Sequence, residues 1–189
     1  MFGNYIHSED YNDHNLDIQR RGNPTQINVR IKRLSESAVI PRKAHASDAA
    51  YDLFCPKDTT IPVGRSAVPL DIAIELPVGY EASIQPRSGY ASKGFEIITP
   101  AIYNDEGREV VPEYSTRADI DVILGTVDAG YRQGICVIVN NHEGLRRTIR
   151  KGQRIAQMII RKVEDICFEE TDTLSESDRD GGLGHTGSF

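Results

Sequence analysis

Asp128 and Tyr131 stand three residues apart in Gly125-Thr-Val-Asp128-Ala-Gly130-Tyr131, which sets a carboxylate and an aromatic ring within one turn. An acid in a hairpin turn of this kind is a candidate site residue. The flanks alternate, with Ile120, Val122 and Leu124 before the turn and Ile135, Val137 and Val139 after it. That pattern predicts two strands with the acid at the tip of a β-hairpin. Gly125 and Gly130 are expected to supply positive φ or close backbone approach. The same Asp-x-Gly spacing also suits an acid that merely closes a turn.

Three further segments carry groups that phosphate chemistry uses. Pro86-Arg87-Ser88-Gly89-Tyr90-Ala91-Ser92-Lys93-Gly94 combines a guanidinium, hydroxyls and two glycines, offering bidentate charge and backbone N–H groups to phosphate oxygens. It lacks the Gly-x4-Gly-Lys-Ser/Thr spacing of a Walker loop. In Lys151 to Ile160 a polar turn runs into an apolar strand interrupted by Gln157, whose amide needs a partner such as water or phosphate. The tail Arg179-Asp-Gly181-Gly182-Leu183-Gly184-His185-Thr186-Gly187 is too rich in glycine to fold alone, yet carries cationic and hydroxyl donors. It reads as a flap that orders over a ligand.

The elements that must position these groups are short alternating strands. Ile27, Val29 and Ile31, then Leu70, Ile72, Ile74 and Leu76, then Ile84 read as strands separated by turns such as Leu76-Pro77-Val78-Gly79. Their close spacing predicts an all-β jelly roll or barrel, with one short helix after Arg87-Ser88-Gly89. Residues 1–26, polar and ending at Gly22-Asn23-Pro24, are expected to form a poorly ordered extension. Arg146 to Lys151 reads as a solvated basic turn.

A chain of 189 residues is enough for one core, and its net charge of −6 argues against a nucleic-acid binder. No apolar run of about 18 residues is present, so no membrane span is expected. Cys55, Cys136 and Cys167 form an odd set without a Cys-x-x-Cys pair, pointing to reduced, structural thiols and a soluble cytoplasmic protein. The histidines show no metal-ligand spacing.

Taken in order, Ala49-Ala50-Tyr51-Asp52-Leu53, Pro86-Arg87-Ser88-Gly89, Gly125 to Tyr131, Arg154-Ile155-Ala156-Gln157 and the glycine tail resemble the five blocks of the homotrimeric dUTP pyrophosphatases, or dUTPases. Each block alone is a weak match, and five in order make a specific one. The resemblance runs from about residue 27 to the end of the chain. It implies a distorted jelly-roll barrel over residues 27–172, a mobile flap over 173–189, and a homotrimer with active sites shared between subunits.

For mechanism, the resemblance implies hydrolysis of dUTP to dUMP and pyrophosphate with Mg2+. Asp128 matches the acid that activates water for attack at the α-phosphate, and Tyr131 the ring against the deoxyribose. Gly125 and Val127 match the backbone that reads uracil. Arg87, Ser88, Gly89 and Gln157 match phosphate-holding residues, and Asp52 the acid that holds the metal through water. In the tail, Arg179, His185 and Thr186 match phosphate ligands, and Leu183 the residue covering the base. This chain departs from the family at several of these places. Ala50 and Gln133 stand where glycines are usual, Leu183 replaces a phenylalanine, and the tail block is one residue short.

Residues 99–120 are longer than the usual link between the second and third blocks. Tyr103 to Arg108 reads as a turn between Ile102 and Val110-Val111, predicting an inserted hairpin near the active-site entrance. Two rivals stand beside the hydrolase. A dCTP deaminase shares an Asp-x-Gly-aromatic turn but needs a further acid or base on the next strand, where this chain has Cys136-Val-Ile-Val-Asn140. A trimeric dUTP-binding regulatory protein would keep the fold and lose turnover.

Overall fold

In the computed structural model, residues 26–99 and 101–177 are described, so the extension before residue 26 and the tail residues Arg179, Leu183, His185 and Thr186 lie outside them. The strands among the described residues are β1 (Arg30–Arg33), β2 (Tyr51–Phe54), β3 (Thr59–Ile61), β4 (Gly64–Pro69), β5 (Ile72–Glu75), β6 (Tyr80–Gln85), β7 (Phe95–Thr99), β8 (Ile102–Tyr103), β9 (Glu109–Val111), β10 (Tyr114–Ala118), β11 (Ile120–Val122), β12 (Gly125–Val127), β13 (Cys136–Asn141), β14 (Arg147–Ile149) and β15 (Arg154–Lys162). One helix, α1 (Ser88–Lys93), is present as expected, but it starts at Ser88 and takes in Ser88 and Gly89 rather than following them. The all-β expectation holds.

A four-stranded sheet in the order β12-β6-β15-β2 and a three-stranded sheet β11-β13-β4 carry most of the fold, with the pairs β1-β5, β3-β14, β7-β10 and β8-β9 beside them. All of these pairings are antiparallel. β15 pairs with both β2 and β6, and β13 with β4, so strands distant in sequence lie side by side, as in a jelly roll. Alternation along each strand puts Ile72 and Ile74, Val137 and Val139, and Ile155 into one shared core.

Phe95 is fully buried, its ring tilted against Tyr90 at 4.5 Å between centroids. Replacing Phe95 with alanine removes that contact and leaves a cavity, so Phe95→Ala is expected to cost about 3–5 kcal/mol. Urea unfolding measures it; a loss below about 1 kcal/mol would mean that the site collapses freely.

Several expectations need correction. Ile27 is exposed and precedes the first strand, which starts at Arg30. Leu124 does not continue the alternation, being 69% exposed. The chain changes sheets there: Ile123 N donates to Ile138 O as the last contact with β13, and β12 then pairs with β6. Gly125 to Tyr131 is therefore a sheet-switching corner rather than a hairpin tip. Neither Gly125 nor Gly130 is among the glycines with positive φ.

Arg146 to Lys151 is not a turn throughout, because Arg147–Ile149 forms β14 against β3. Its charges are taken up locally, Arg147 by Glu143 and Arg150 by Asp58. Cys55 is buried, and that burial pushes its thiol pKa up, as a structural cysteine requires. Cys167 is exposed, contrary to a packing role.

Residues 102–111 do form a hairpin, β8 against β9, which prolongs the β7-β10 ribbon. Asn104 shapes its turn: Oδ1 accepts from the backbone of Glu106 and Arg108, and Gly107 takes φ 74°.

Candidate active site

β2 brings Asp52 to the edge of the four-stranded sheet directly opposite Gln157 on β15. The sequence predicts that Arg154 and Gln157, three positions apart on a strand, point to opposite faces. A register shift between Arg154 and Ala156 adds the residue that reverses this parity. Arg154 therefore lies opposite Phe54 and shares the face of Asp52 and Gln157. This is how Arg154 becomes part of the site. Strict alternation hides it.

Asp52 is held by two guanidiniums. Arg87 Nε donates to its Oδ1 at 3.0 Å, and Arg154 Nη1 to its Oδ2 at 3.3 Å. Its side chain is only 13% exposed, so the paired charges exclude a free surface acid. Arg87 sits at the N-cap of α1 with its guanidinium 5.3 Å from the Tyr90 ring centroid. Tyr90 is a second residue the sequence did not single out. Its hydroxyl donates to Arg154 O at 2.7 Å, tying the helix to β15. Gln153 supports the same joint, its amide donating to Glu96 O.

Within the chain Gln157 Nε2 donates to Pro86 O at 3.0 Å. That bond fixes the segment that leads into Arg87. The second amide N–H makes no other hydrogen bond among the described residues. Asp52, Arg87, Ser88, Gly89 and Gln157 line one cavity of about 530 Å³, together with Lys93, Glu96 and Arg117. A Cβ on Gly89 would meet nothing within 4 Å, so the space beside it is open. Glu96 and Arg117 are the root of the β7-β10 ribbon, which places that ribbon at the cavity wall.

Asp128 follows β12, at the opposite edge of the same sheet. The turn after it is closed by backbone, Tyr131 N donating to Asp128 O at 3.0 Å. Its carboxylate is exposed and makes no hydrogen bond or ion pair among the described residues, so it is not spent on closing the turn. Tyr131 is 42% exposed and its hydroxyl donates to Gly134 O at 3.1 Å. β12 is an edge strand, and its outer N–H and C=O groups have no strand partner among the described residues. Val127 buries its side chain while its backbone lies on that edge.

The two halves do not meet within one chain. Asp128 lies three strands across and about four residues along from Asp52, roughly 20 Å by strand geometry. A general base must be within one hydrogen bond, or one water, of its proton. At that separation the two acids of one chain do not face a common water.

Among the described residues no group of three or more His, Cys, Asp or Glu side chains could hold a metal ion by itself. Asp52 fits a different role. Two of its acceptor positions serve arginines and the rest suit the waters of a hydrated cation carried in by a polyphosphate.

Comparison with known proteins gives the family. The dUTPase family profile matches residues 36–112 and 110–187. The chain is 40% identical over 167 residues to a deoxyuridine 5'-triphosphate nucleotidohydrolase of Clostridium tetani, covering 86% of this chain and 99% of that one. It is 35% identical over 192 residues to the protein of the same name in Solanum lycopersicum, covering 99% of each. In fold it is similar to a dUTPase of Staphylococcus bacteriophage 80alpha bound to dUpNHpp, with a TM-score of 0.65, 22% identity, and coverage of 85% of this chain and 98% of that one. With a profile that spans most of the chain and relatives of 35% and 40% identity, the chain belongs to the dUTPase family.

Proposed function

We propose that the protein hydrolyses dUTP to dUMP and pyrophosphate, with Asp128 as the general base for a water attacking the α-phosphate. The observation that carries this reading is the pair of half-sites at opposite edges of one sheet. One is a cavity with Arg87 and Asp52; the other is an unspent carboxylate beside an exposed ring and a free strand edge. Arg87, Ser88, Gly89 and Gln157 hold the phosphates, whose charge must be neutralised for phosphoryl transfer. The free edge at Gly125 and Val127 offers N–H and C=O groups to the imide edge of uracil. Tyr131 packs against the deoxyribose.

The fold of Asp52 between two arginines favours an outer-sphere contact, and Mg2+ arriving with the nucleotide would supply further neutralisation of phosphate charge there. Arg179, His185 and Thr186 would bind phosphate oxygens and Leu183 would cover the base, the tail from 173 onward acting as a flap on the barrel of residues 27–172.

A homotrimer is the assembly this reading calls for. Three chains around a three-fold axis each present one edge to the next, so that every site is completed by a neighbour. The segment after β15 supports such contacts. It has no strand partner among the described residues and leaves Phe168 92% exposed, an apolar surface that suits a neighbouring subunit. The free cysteines suit a cytoplasmic setting.

A substrate panel tests the reading. With Mg2+, dUTP is expected to yield a nucleoside monophosphate and pyrophosphate, while dCTP, UTP and dTTP are turned over far more slowly. Conversion of dCTP to a deaminated product would overturn it, as would binding of dUTP without turnover.

A further inference from the structure

The positive charges of the cavity fall into two groups. Arg87 is engaged by Asp52, which Arg154 binds from outside the lining. Lys93 and Arg117, on the wall furthest along the helix, have no carboxylate within ion-pair distance among the described residues. Lys93 makes no side-chain hydrogen bond there, and Arg117 makes one long bond, Nη1 to Gly94 O at 3.4 Å.

These two cations are brought together by close packing. Gly94 caps α1 at φ 82°, and a Cβ on it would lie 3.0 Å from Ala118 O. No residue but glycine lets β10 approach the end of the helix so closely without strain. Arg117, whose Cβ would lie 3.5 Å from that added Cβ, is thereby set against the end of the helix that carries Lys93, and both line the cavity. Glu96, opposite Arg117 in the ribbon, lines the same wall but is not ion-paired with it.

We infer that Lys93 and Arg117 form a second cationic pair that binds the terminal phosphate of the nucleoside triphosphate, making the ribbon that carries Arg117 part of the substrate site. This rests on the hydrolase reading above and deepens it. A triphosphate carries about two more charges than a monophosphate near neutral pH, and they need partners beyond one guanidinium already shared with Asp52. The only cations of the cavity wall without a carboxylate partner, among the described residues, are these two. The pair contributes to discrimination between triphosphate and monophosphate, and Arg117 links the length of residues 99–120 to substrate binding.

Titration calorimetry with a non-hydrolysable imido analogue of dUTP and with dUMP, on the full chain, tests the pair. In the double variant Lys93→Ala/Arg117→Ala, analogue affinity is expected to fall about tenfold or more while dUMP affinity stays within about twofold. Single changes Lys93→Gln and Arg117→Gln, at exposed positions, read the same ratio should the double variant fail to fold. Equal losses for both ligands would mean a structural role, and unchanged analogue affinity would mean no contact; either result overturns the pair. Turnover of dUTP by the unsubstituted protein, measured in the same preparation, reads the hydrolase assignment separately.

Discussion

Asp128→Asn is expected to lower kcat for dUTP by about 10²–10⁴-fold while leaving the thermal midpoint unchanged. The exchange keeps the shape of the side chain and removes the charge and basicity. It should cost the fold nothing, because the carboxylate makes no contact that the turn uses: Tyr131 N is bound by the backbone oxygen. Binding of the imido analogue of dUTP is expected to persist, since the proposed reading has the phosphates and uracil held elsewhere. A variant that keeps kcat within about tenfold of the original would remove Asp128 from the role of base.

Arg87→Ala should be nearly as damaging, lowering kcat/KM by about 10²–10³-fold. It removes the proposed phosphate donor and also leaves Asp52 with Arg154 as its remaining ion-pair partner among the described residues. Arg87→Lys is not expected to recover the loss. A lysine ammonium lacks the planar fork that can serve Asp52 and a phosphate together, and it stacks less well on Tyr90. Steady-state kinetics and unfolding on each variant separate a site defect from a folding one.

The two variants also test whether sites lie between subunits. Each is inactive in a different half-site, so chains unfolded, mixed and reassembled should regain about a quarter of the sites if each site takes Asp128 and Arg87 from different chains at random. No recovery after mixing, with trimers confirmed by light scattering, would place both residues of a site in one chain. The roughly 20 Å between Asp128 and Asp52 across one sheet would then have to be closed by a rearrangement.

The sequence made much of the barrel legible because its strands alternate with period two. Leu70, Ile72, Ile74 and Leu76 are all buried where alternation put them, and the turn at Asn104 is written in its Asx chemistry and Gly107. Corners were not legible. Nothing in Ile123-Leu124-Gly125 says that the strand leaves β13 for β6, because the pairing partner of an edge strand is set by packing far away in sequence.

The candidate site was legible as residue types and invisible as geometry. Asp52, Arg87 and Gln157 stood out by composition, but Arg154 joined them through a bulge that shifts parity, which alternation cannot anticipate. Tyr90 was masked by its neighbours Arg87, Ser88 and Gly89, although a buried tyrosine whose hydroxyl must find an acceptor is a usual hinge between elements. Lys93 and Arg117 share the cavity wall through Gly94 alone, a contact between residues remote in sequence.

Hydrolysis of dUTP in water enriched in 18O, with the products resolved by mass spectrometry, addresses the central claim most directly. Attack at the α-phosphate predicts one 18O in dUMP and none in pyrophosphate, with label incorporation lost in Asp128→Asn. Label in the pyrophosphate, or an unaltered dUTP beside a deaminated dCTP, would contradict it.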